Sequence, residues 1–311
     1  MVERIRIGTR GSRLALWQAG AVRDALAAAH GFGDGAIEIV PIKTSGDLIR
    51  DRPLSEAGGK GLFSKEIEAA LMSGTIDLAV HSAKDMETVL PEGLMIGACL
   101  PREDVRDALI ARDATGIDDL PAGGRVGSAS LRRRALLLRA RPDLRIELLR
   151  GNVPTRVAKV ESGEFDATLL ASAGLKRIGL EQKIAALLPL EHFPPACGQG
   201  TIAIERRADD ARARALLAPI NHRDSSLALA CERAFLAALD GSCKTPIAGY
   251  ARIEEGLLLR FNGLVLSEDG SESYAVNGSG APADAERIGR EAGEQIRRRA
   301  PAEFLKRLGI N

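Results

Sequence analysis

The sequence predicts an α/β protein closed by a small α+β unit, and three observations carry that prediction. Strand-like and helix-like segments alternate from residue 3 to residue 190, and some of the strands, such as IDLAVH at 76–81, are near-continuously apolar. After about residue 222 the order changes to a helix, three strand-like runs and another helix. Strands apolar on both faces belong to a buried sheet, and strand–helix alternation is the pattern of parallel α/β sheets. Three strands in succession between helices describe an antiparallel layer instead.

Each element has its own reason. Residues 3–9 alternate as a strand, and over 12–29 Leu14, Trp17, Ala21, Ala25 and Ala28 recur at helical spacing as one apolar stripe. The same kind of unit follows, with a strand at 37–43, a helix at about 63–73 and the strand at 76–81. A second set has strands near 107–112, 125–128, 145–150 and 166–171, and helices that begin near Ser130 and Asn152. The terminal unit has a helix over 224–239, strands over 247–253, 257–266 and 272–277, and a helix with Ala285, Ile288, Ala292 and Ile296 on one face. PREDVRD at 101–107 and EHFPPACGQG at 191–200 interrupt the alternation as polar, proline-bearing hinges. The loop 46–61 is long, charged and glycine-rich, the character of a lid or binding loop. No internal sequence repeat is evident.

Composition narrows the function. A chain of 311 residues with 45% hydrophobic content fills two ordinary domains or three small ones. Lys and Arg number 43 against 42 Asp and Glu, and aromatics are 3%, so neither a basic field nor base-stacking material favours nucleic acid. No segment approaches the ~18 apolar residues of a membrane span, and MVERIRIGTRG is a charged strand rather than an export signal, so a cytoplasmic protein is expected. The four cysteines have no CxxC pair, which argues against a zinc site and against a disulfide framework.

Where the charge falls is more informative than its sum. Arg10 and Arg13 flank a Ser12 cap; Arg132, Arg133 and Arg134 follow Ser130; Arg150 and Arg156 flank Asn152. Cations in a helix's first turn oppose its dipole by roughly 0.3–1 kcal/mol each unless an anion intervenes. Three such junctions predict an anionic ligand at the sheet edge where strands run into helices. Three consecutive residues fan over ~200° of a helix, so a ligand with several anionic groups fits better than one phosphate. With GxxxxGK[ST] and GxGxxG both missing, several carboxylates are the preferred chemistry. A fourth strand end, VHSAKDMET, sets Ser82, Lys84 and Asp85 beyond a buried strand, and an ionised Asp85 among arginines would stabilise a cation. His81, at the end of that strand, reads as a packed core residue. Cys99 and Cys231 lie in apolar patterns and read as core, and Cys197 is ambiguous. Cys243 alone has polar neighbours, with Lys244 beside it to favour the thiolate.

Together these stretches resemble the porphobilinogen deaminase (hydroxymethylbilane synthase) family nearly end to end: GTRGSRLALWQ, KTSGD, GGKGLFSKEIE, DLAVHSAKD, GSASLRRR, LRGNVPTR, AGLKR, GQG and GSCKTPI, in that order. The resemblance implies two periplasmic-binding-protein-like α/β lobes plus a small α+β C-terminal domain. Domain 1 would comprise 1–100 and 200–218, domain 2 105–194, and domain 3 222–311 with the cofactor attachment. It implies a dipyrromethane cofactor held by a thioether to Cys243, and no metal. Asp85 matches the catalytic aspartate. Arg10, Ser12, Ser130, Arg132, Arg133, Arg150 and Arg156 match positions that hold acetate and propionate groups of cofactor and substrate. Ser82 and Lys84 match cofactor contacts, Gln199 lies in a matching hinge segment, and Phe63 is placed to pack on a pyrrole.

The implied reaction condenses four porphobilinogen molecules, each losing ammonia to give an electrophilic methylene-pyrrolenine, into linear hydroxymethylbilane. One acid would serve four additions, so movement of the hinges and the 46–61 loop is expected to make room. A cytoplasmic monomer acting on a small molecule, without nucleic acid or membrane partners, is the corresponding expectation. The chain departs from the family pattern at Met86, Glu87, Ala129 and Glu56, and in reading GSC before Lys244. The alternative from another class is a non-catalytic two-lobed binding protein for a multi-carboxylate small molecule, which has no use for Cys243.

Overall fold

The computed structural model describes residues 4–48, 63–241, 245–255 and 257–310. Strand β1 (Ile5–Arg10) ends where Ser12 caps helix α1 (Arg13–His30), its Oγ accepting from Ala15 N at 3.2 Å. Gly31 closes the helix at φ 67, a left-handed turn that a residue without Cβ adopts freely. The buried stripe of α1 is Ala15, Gln18, Ala19, Val22 and Leu26, rotated from the expected Leu14, Trp17, Ala21, Ala25 and Ala28; Trp17 is 45% exposed. Val22 and Leu26 offer more apolar area than the alanines, and Gln18 is buried with a polar partner on a neighbouring strand.

The chain then forms β2 (Ile37–Ile42), α2 (Ser45–Leu48), α3 (Lys65–Met72), β3 (Leu78–Ser82) and β4 (Leu94–Cys99). Next come β5 (Asp107–Ala111), β6 (Arg125–Gly127), α4 (Leu131–Ala140), β7 (Arg145–Glu147), α5 (Val153–Glu161), β8 (Ala167–Ala171), α6 (Ser172–Arg177) and β9 (Ala186–Leu187). They are followed by β10 (Ile202–Arg207), α7 (Ala211–Leu217), α8 (Arg223–Ala238), β11 (Ile247–Glu254), β12 (Leu258–Leu266), β13 (Ser273–Gly280), α9 (Ala285–Arg299) and α10 (Ala302–Arg307). Two compact units result, one of residues 1–103 and 201–226, the other of 104–200 and 227–311.

The first unit holds a five-stranded sheet ordered β2-β1-β3-β10-β4, and the second a five-stranded sheet ordered β7-β6-β8-β5-β9. In each, three strands are parallel and the fourth is antiparallel to both neighbours: β10 against β3 and β4, β5 against β8 and β9. These sheets are therefore mixed, not wholly parallel as strand–helix alternation suggested. The antiparallel strand stands outside the alternating run in both: β10 joins its sheet after the chain has passed through the second unit, and β5 precedes the run it pairs with. One topology thus occurs twice without a repeat in sequence. The second unit also carries the three-stranded antiparallel sheet β11-β12-β13. The architecture is α/β with a small C-terminal α+β part, as the sequence predicts.

Helices cover both faces of the five-stranded sheets. In the first unit Val22 and Leu26 of α1 pack with Leu78 and Val80 of β3, while Ile67 and Leu71 of α3 pack with Ala79 on the opposite face, the period-two alternation of a strand. In the second, Leu136 and Leu137 of α4 lie with Leu109 and Val126, and Val157 and Val160 of α5 lie with Ala108 and Ile110. The three-stranded sheet has its own core, centred on Phe235 and Phe261 with ring centroids 4.9 Å apart.

Helices α8 and α9 meet without side chains between them: a Cβ on Gly289 would lie 1.9 Å from the Cys231 carbonyl oxygen. Gly289→Ala is expected to lower stability by roughly 1–3 kcal/mol through overpacking, read as a lower urea midpoint. Gly20→Ala in α1, where nothing lies within 4 Å of the added Cβ, is expected to raise it by up to about 1 kcal/mol.

Candidate active site

In the first unit, β1 and β3 are adjacent parallel strands, paired Ile7 to Leu78 and Gly8 to Ala79, so their C-terminal ends emerge side by side. β1 delivers Arg10 and the Ser12 cap; β3 delivers Ser82 and then a single 3₁₀ turn, Ala83–Asp85. One cavity at this edge is lined by Arg10, Ser12, Gln18, Phe63, Ser82 and Asp85, among others. Its chemistry is mixed. Leu14 and Ala15 of the first turn of α1 line it, Arg10 adds a guanidinium, and Asp85 offers an exposed carboxylate. The Arg10 guanidinium lies over the Phe63 ring, 4.2 Å from its centroid, which orients both side chains. Gln18 Nε2 donates to Ser82 Oγ at 2.9 Å, and Ser82 Oγ lies 3.2 Å from Gln18 Oε1, so the serine is fixed to α1. Lys84 sits half-buried in the same turn as Asp85.

In the second unit the corresponding edge is built by β6 and β7, again parallel neighbours. Ser130 caps α4, its Oγ accepting from Arg133 N at 3.4 Å, and Asn152 caps α5, its Oδ1 accepting from Thr155 N at 3.0 Å. The segments after the two strands touch closely: a Cβ on Gly127 would lie 2.4 Å from Leu149 Cδ2. Arg150 and Arg156 are half-buried at the start of α5, and Arg156 Nε donates to Gly151 O at 2.8 Å.

Arg132 and Arg133 have found an anion within the chain. Asp107, the first residue of β5 and fully buried, accepts from Arg132 Nη2 on Oδ2 at 2.7 Å and from Arg133 Nη2 and Nε on Oδ1 at 2.7 and 3.1 Å. Gln199 Nε2 donates to the same Oδ1 at 2.9 Å and to Val105 O at 2.7 Å, and Arg132 Nη1 donates to Pro194 O at 2.7 Å. Burial alone would raise the Asp107 pKa, but the charges of Arg132 and Arg133 overcome it and hold the carboxyl well below the ordinary carboxylate range. Burial in turn lowers Arg132 from its ordinary value, and its buried Nε has no hydrogen-bond partner. Two guanidinium groups and one carboxylate leave the cluster a net charge of +1 at the first turn of α4.

Of the residues singled out in the sequence, the structure therefore brings Arg10, Ser12, Phe63, Ser82 and Asp85 to one cavity, and Arg132, Arg133 and Gln199 to Asp107, with Ser130 capping the helix that carries the two arginines. Cys243, Lys244, Glu56 and the 46–61 loop from residue 49 onward lie outside the described residues. Cys99, Cys197 and Cys231 are buried, and burial pushes the Cys231 thiol up to about 12, as suits a core residue. Sequence reasoning missed Asp107 and Gln18. Asp107 could have been suspected as an acid opening a buried strand, and Gln18 as a polar residue on the face that carries Val22 and Leu26.

The chain resembles known proteins in sequence over nearly its whole length. A family model described as porphobilinogen deaminase, dipyromethane cofactor binding domain, matches residues 5–215, and one described as porphobilinogen deaminase, C-terminal domain, matches 226–298. The porphobilinogen deaminases of Nitrobacter hamburgensis and Nitrobacter winogradskyi are each 54% identical to the chain over 299 residues, 96% of this chain and 94% of theirs. Among solved structures, the periplasmic VFT2 domain of Bordetella pertussis BvgS covers 70% of this chain and 86% of its own, at 19% identity and a TM-score of 0.41.

Breaking the Asp107 cluster leaves two buried cations unpaired, so Asp107→Asn is expected to cost roughly 3–5 kcal/mol at neutral pH. The depressed carboxyl contributes stability that is present above the unfolded carboxylate's value, about 3.9, and lost as pH falls through the folded value. The gap in urea stability between wild type and Asp107→Asn should therefore narrow steadily below about pH 4; a gap independent of pH contradicts the assignment.

Proposed function

The chain belongs to the porphobilinogen deaminase family, and from that premise we propose how its own residues carry the family's reaction. The activity is that of hydroxymethylbilane synthase, a transferase that joins four porphobilinogen molecules, with loss of ammonia, on a dipyrromethane cofactor. Among the described residues no helix is long and apolar enough to cross a membrane. We read the enzyme as a cytoplasmic monomer working on a small molecule without a nucleic-acid partner, and the near-equal counts of acidic and basic residues support the last of these.

The residues present fit the cofactor. A dipyrromethane bears acetate and propionate groups, and the donors at the two sheet edges are those that carboxylates require: capped helix N-termini, each with guanidinium groups in or beside the first turn. We assign Arg10, Ser12, Ser82 and Lys84 in the first unit, and Ser130, Arg132, Arg133, Arg150 and Arg156 in the second, to hold cofactor and substrate carboxylates. Gln199 acts by holding Asp107. Cys243 is assigned the thioether. When bound, the cofactor supplies the free pyrrole α-carbon that attacks the activated substrate.

Asp85 does the electrostatic work. Loss of ammonia places positive charge on the substrate pyrrole, and bond formation would pass that charge to the attacking ring, which would shed it with its α-proton. A carboxylate held at the cavity edge offsets this charge and accepts the pyrrole N–H, a stabilisation greater in the transition state than in the ground state. Phe63 presents one face to Arg10, and its other face is assigned to a pyrrole ring. The observation that carries the reading is the parallel pairing of β1 with β3, which puts Asp85 in one cavity with Arg10 and the Ser12 cap.

Intact mass is expected to exceed the bare polypeptide by two pyrrole units, and Cys243→Ala to abolish the increment; a bare wild-type mass contradicts the reading. Asp85→Ala is expected to keep the increment and lose turnover by about 10²–10³-fold, and normal turnover would remove Asp85 from the catalytic role.

A further inference from the structure

The turn that carries Asp85 is three residues long and exposed at its end, so its accuracy must come from whatever holds the end of β3. On one face of the strand Ser82 is bonded to Gln18 of α1. On the other face His81 is buried, and its Nε2 lies 3.1 Å from Glu205 Oε2, on β10. β10 pairs antiparallel with β3, His81 opposite Ala203 and Ala79 opposite Glu205, so His81 and Glu205 are diagonal neighbours on one face of the sheet. The backbone adds one further tie, Ala83 N donating to Thr201 O at 3.0 Å.

The polar pair is costly packing. Glu205 is fully buried and Glu68 of α3 is 6% exposed, and among the described residues the Oε1 of each has no hydrogen-bond partner. Burial pushes the Glu68 carboxyl above its ordinary value, and the nearby charges of Glu205 and Glu87 add to that. Among the described residues no group of three or more His, Cys, Asp or Glu is arranged to hold a metal ion. An apolar pair would serve stability alone equally well. What the polar pair adds is direction: one hydrogen bond fixes the strand's penultimate side-chain position before the catalytic turn.

We propose that His81 and Glu205 are positioning residues for Asp85, a buried clamp that fixes the end of β3 from the face opposite the Ser82–Gln18 contact. The inference rests on the assignment of Asp85 to the reaction above. It assigns no substrate contact to either residue. Displacement of a reacting group by about 1 Å can cost on the order of 100-fold in rate, so loss of the clamp should appear in kcat.

The test uses cofactor-loaded enzyme, with loading checked by intact mass in each variant. Glu205→Leu is expected to lower kcat by about 10- to 100-fold with KM within about twofold of wild type and full loading. Glu205→Gln keeps an acceptor for His81 and is expected to recover most of that loss. Ile204→Val, on the same strand but facing α1, is the control for general loosening and should leave kcat near wild type. The inference is overturned if Glu205→Leu turns over at the wild-type rate, if its loss is matched by Ile204→Val, if KM or loading rather than kcat accounts for it, or if Glu205→Gln is as slow as Glu205→Leu. Unloaded wild-type enzyme would instead overturn the assignment of the reaction's residues, so the two failures are distinct.

Discussion

A helix that begins with three arginines needs a nearby anion, and at α4 the anion is Asp107. Its carboxylate is fully buried, bonded by two guanidinium groups and an amide, and it joins three parts of the second unit: the start of β5, the first turn of α4 and the 194–199 segment. Buried charges persist only when paired and hydrogen-bonded, so these three parts must adopt their places together or not at all. The arithmetic of charge follows from the same contact. Neutralising one of two guanidinium groups leaves a single positive charge at a capped helix end, enough to attract a carboxylate without the repulsion of an unbalanced pair.

The first unit uses the same strand order with a different electrostatic arrangement. Here the buried acid, Glu205, faces His81 behind the sheet end, and the acid at the cavity, Asp85, is exposed. Cations and acid are therefore separated by role: Arg10 and the α1 N-terminus are suited to holding anionic side groups, and Asp85 is suited to opposing positive charge on a ring. An enzyme whose substrate carries carboxylates on a ring that becomes cationic needs both kinds of group within reach of one molecule.

Much of this was legible in the sequence wherever the signal is local. Ser12, Ser130 and Asn152 cap the helices they were expected to cap, because capping depends on residues only three apart. Strands β1, β2, β3, β5, β6 and β8 lie where alternation or apolar runs placed them. The misses are long-range. Asp107 is 25 residues from Arg132 and 92 from Gln199, so no local pattern reveals that the expected anion lies inside the chain. β4 and β10 are strands because they find partners in the first sheet, and the antiparallel sense of β10 depends on where the chain returns. On α1 the expected stripe is not the buried one: Trp17, the largest side chain of the helix, is exposed, while Val22, Leu26 and Gln18 are buried against the sheet.

The central claim is that the helix-end cations hold the substrate by its carboxylates, and esterifying the substrate tests it most directly. With cofactor-loaded enzyme, porphobilinogen dimethyl ester is predicted to raise KM by about 100-fold or more, since each charge-assisted hydrogen bond to a carboxylate contributes about 1.5–3 kcal/mol. A diester bound and turned over like the free acid would contradict the account, because substrate binding would then not depend on the substrate's carboxylates.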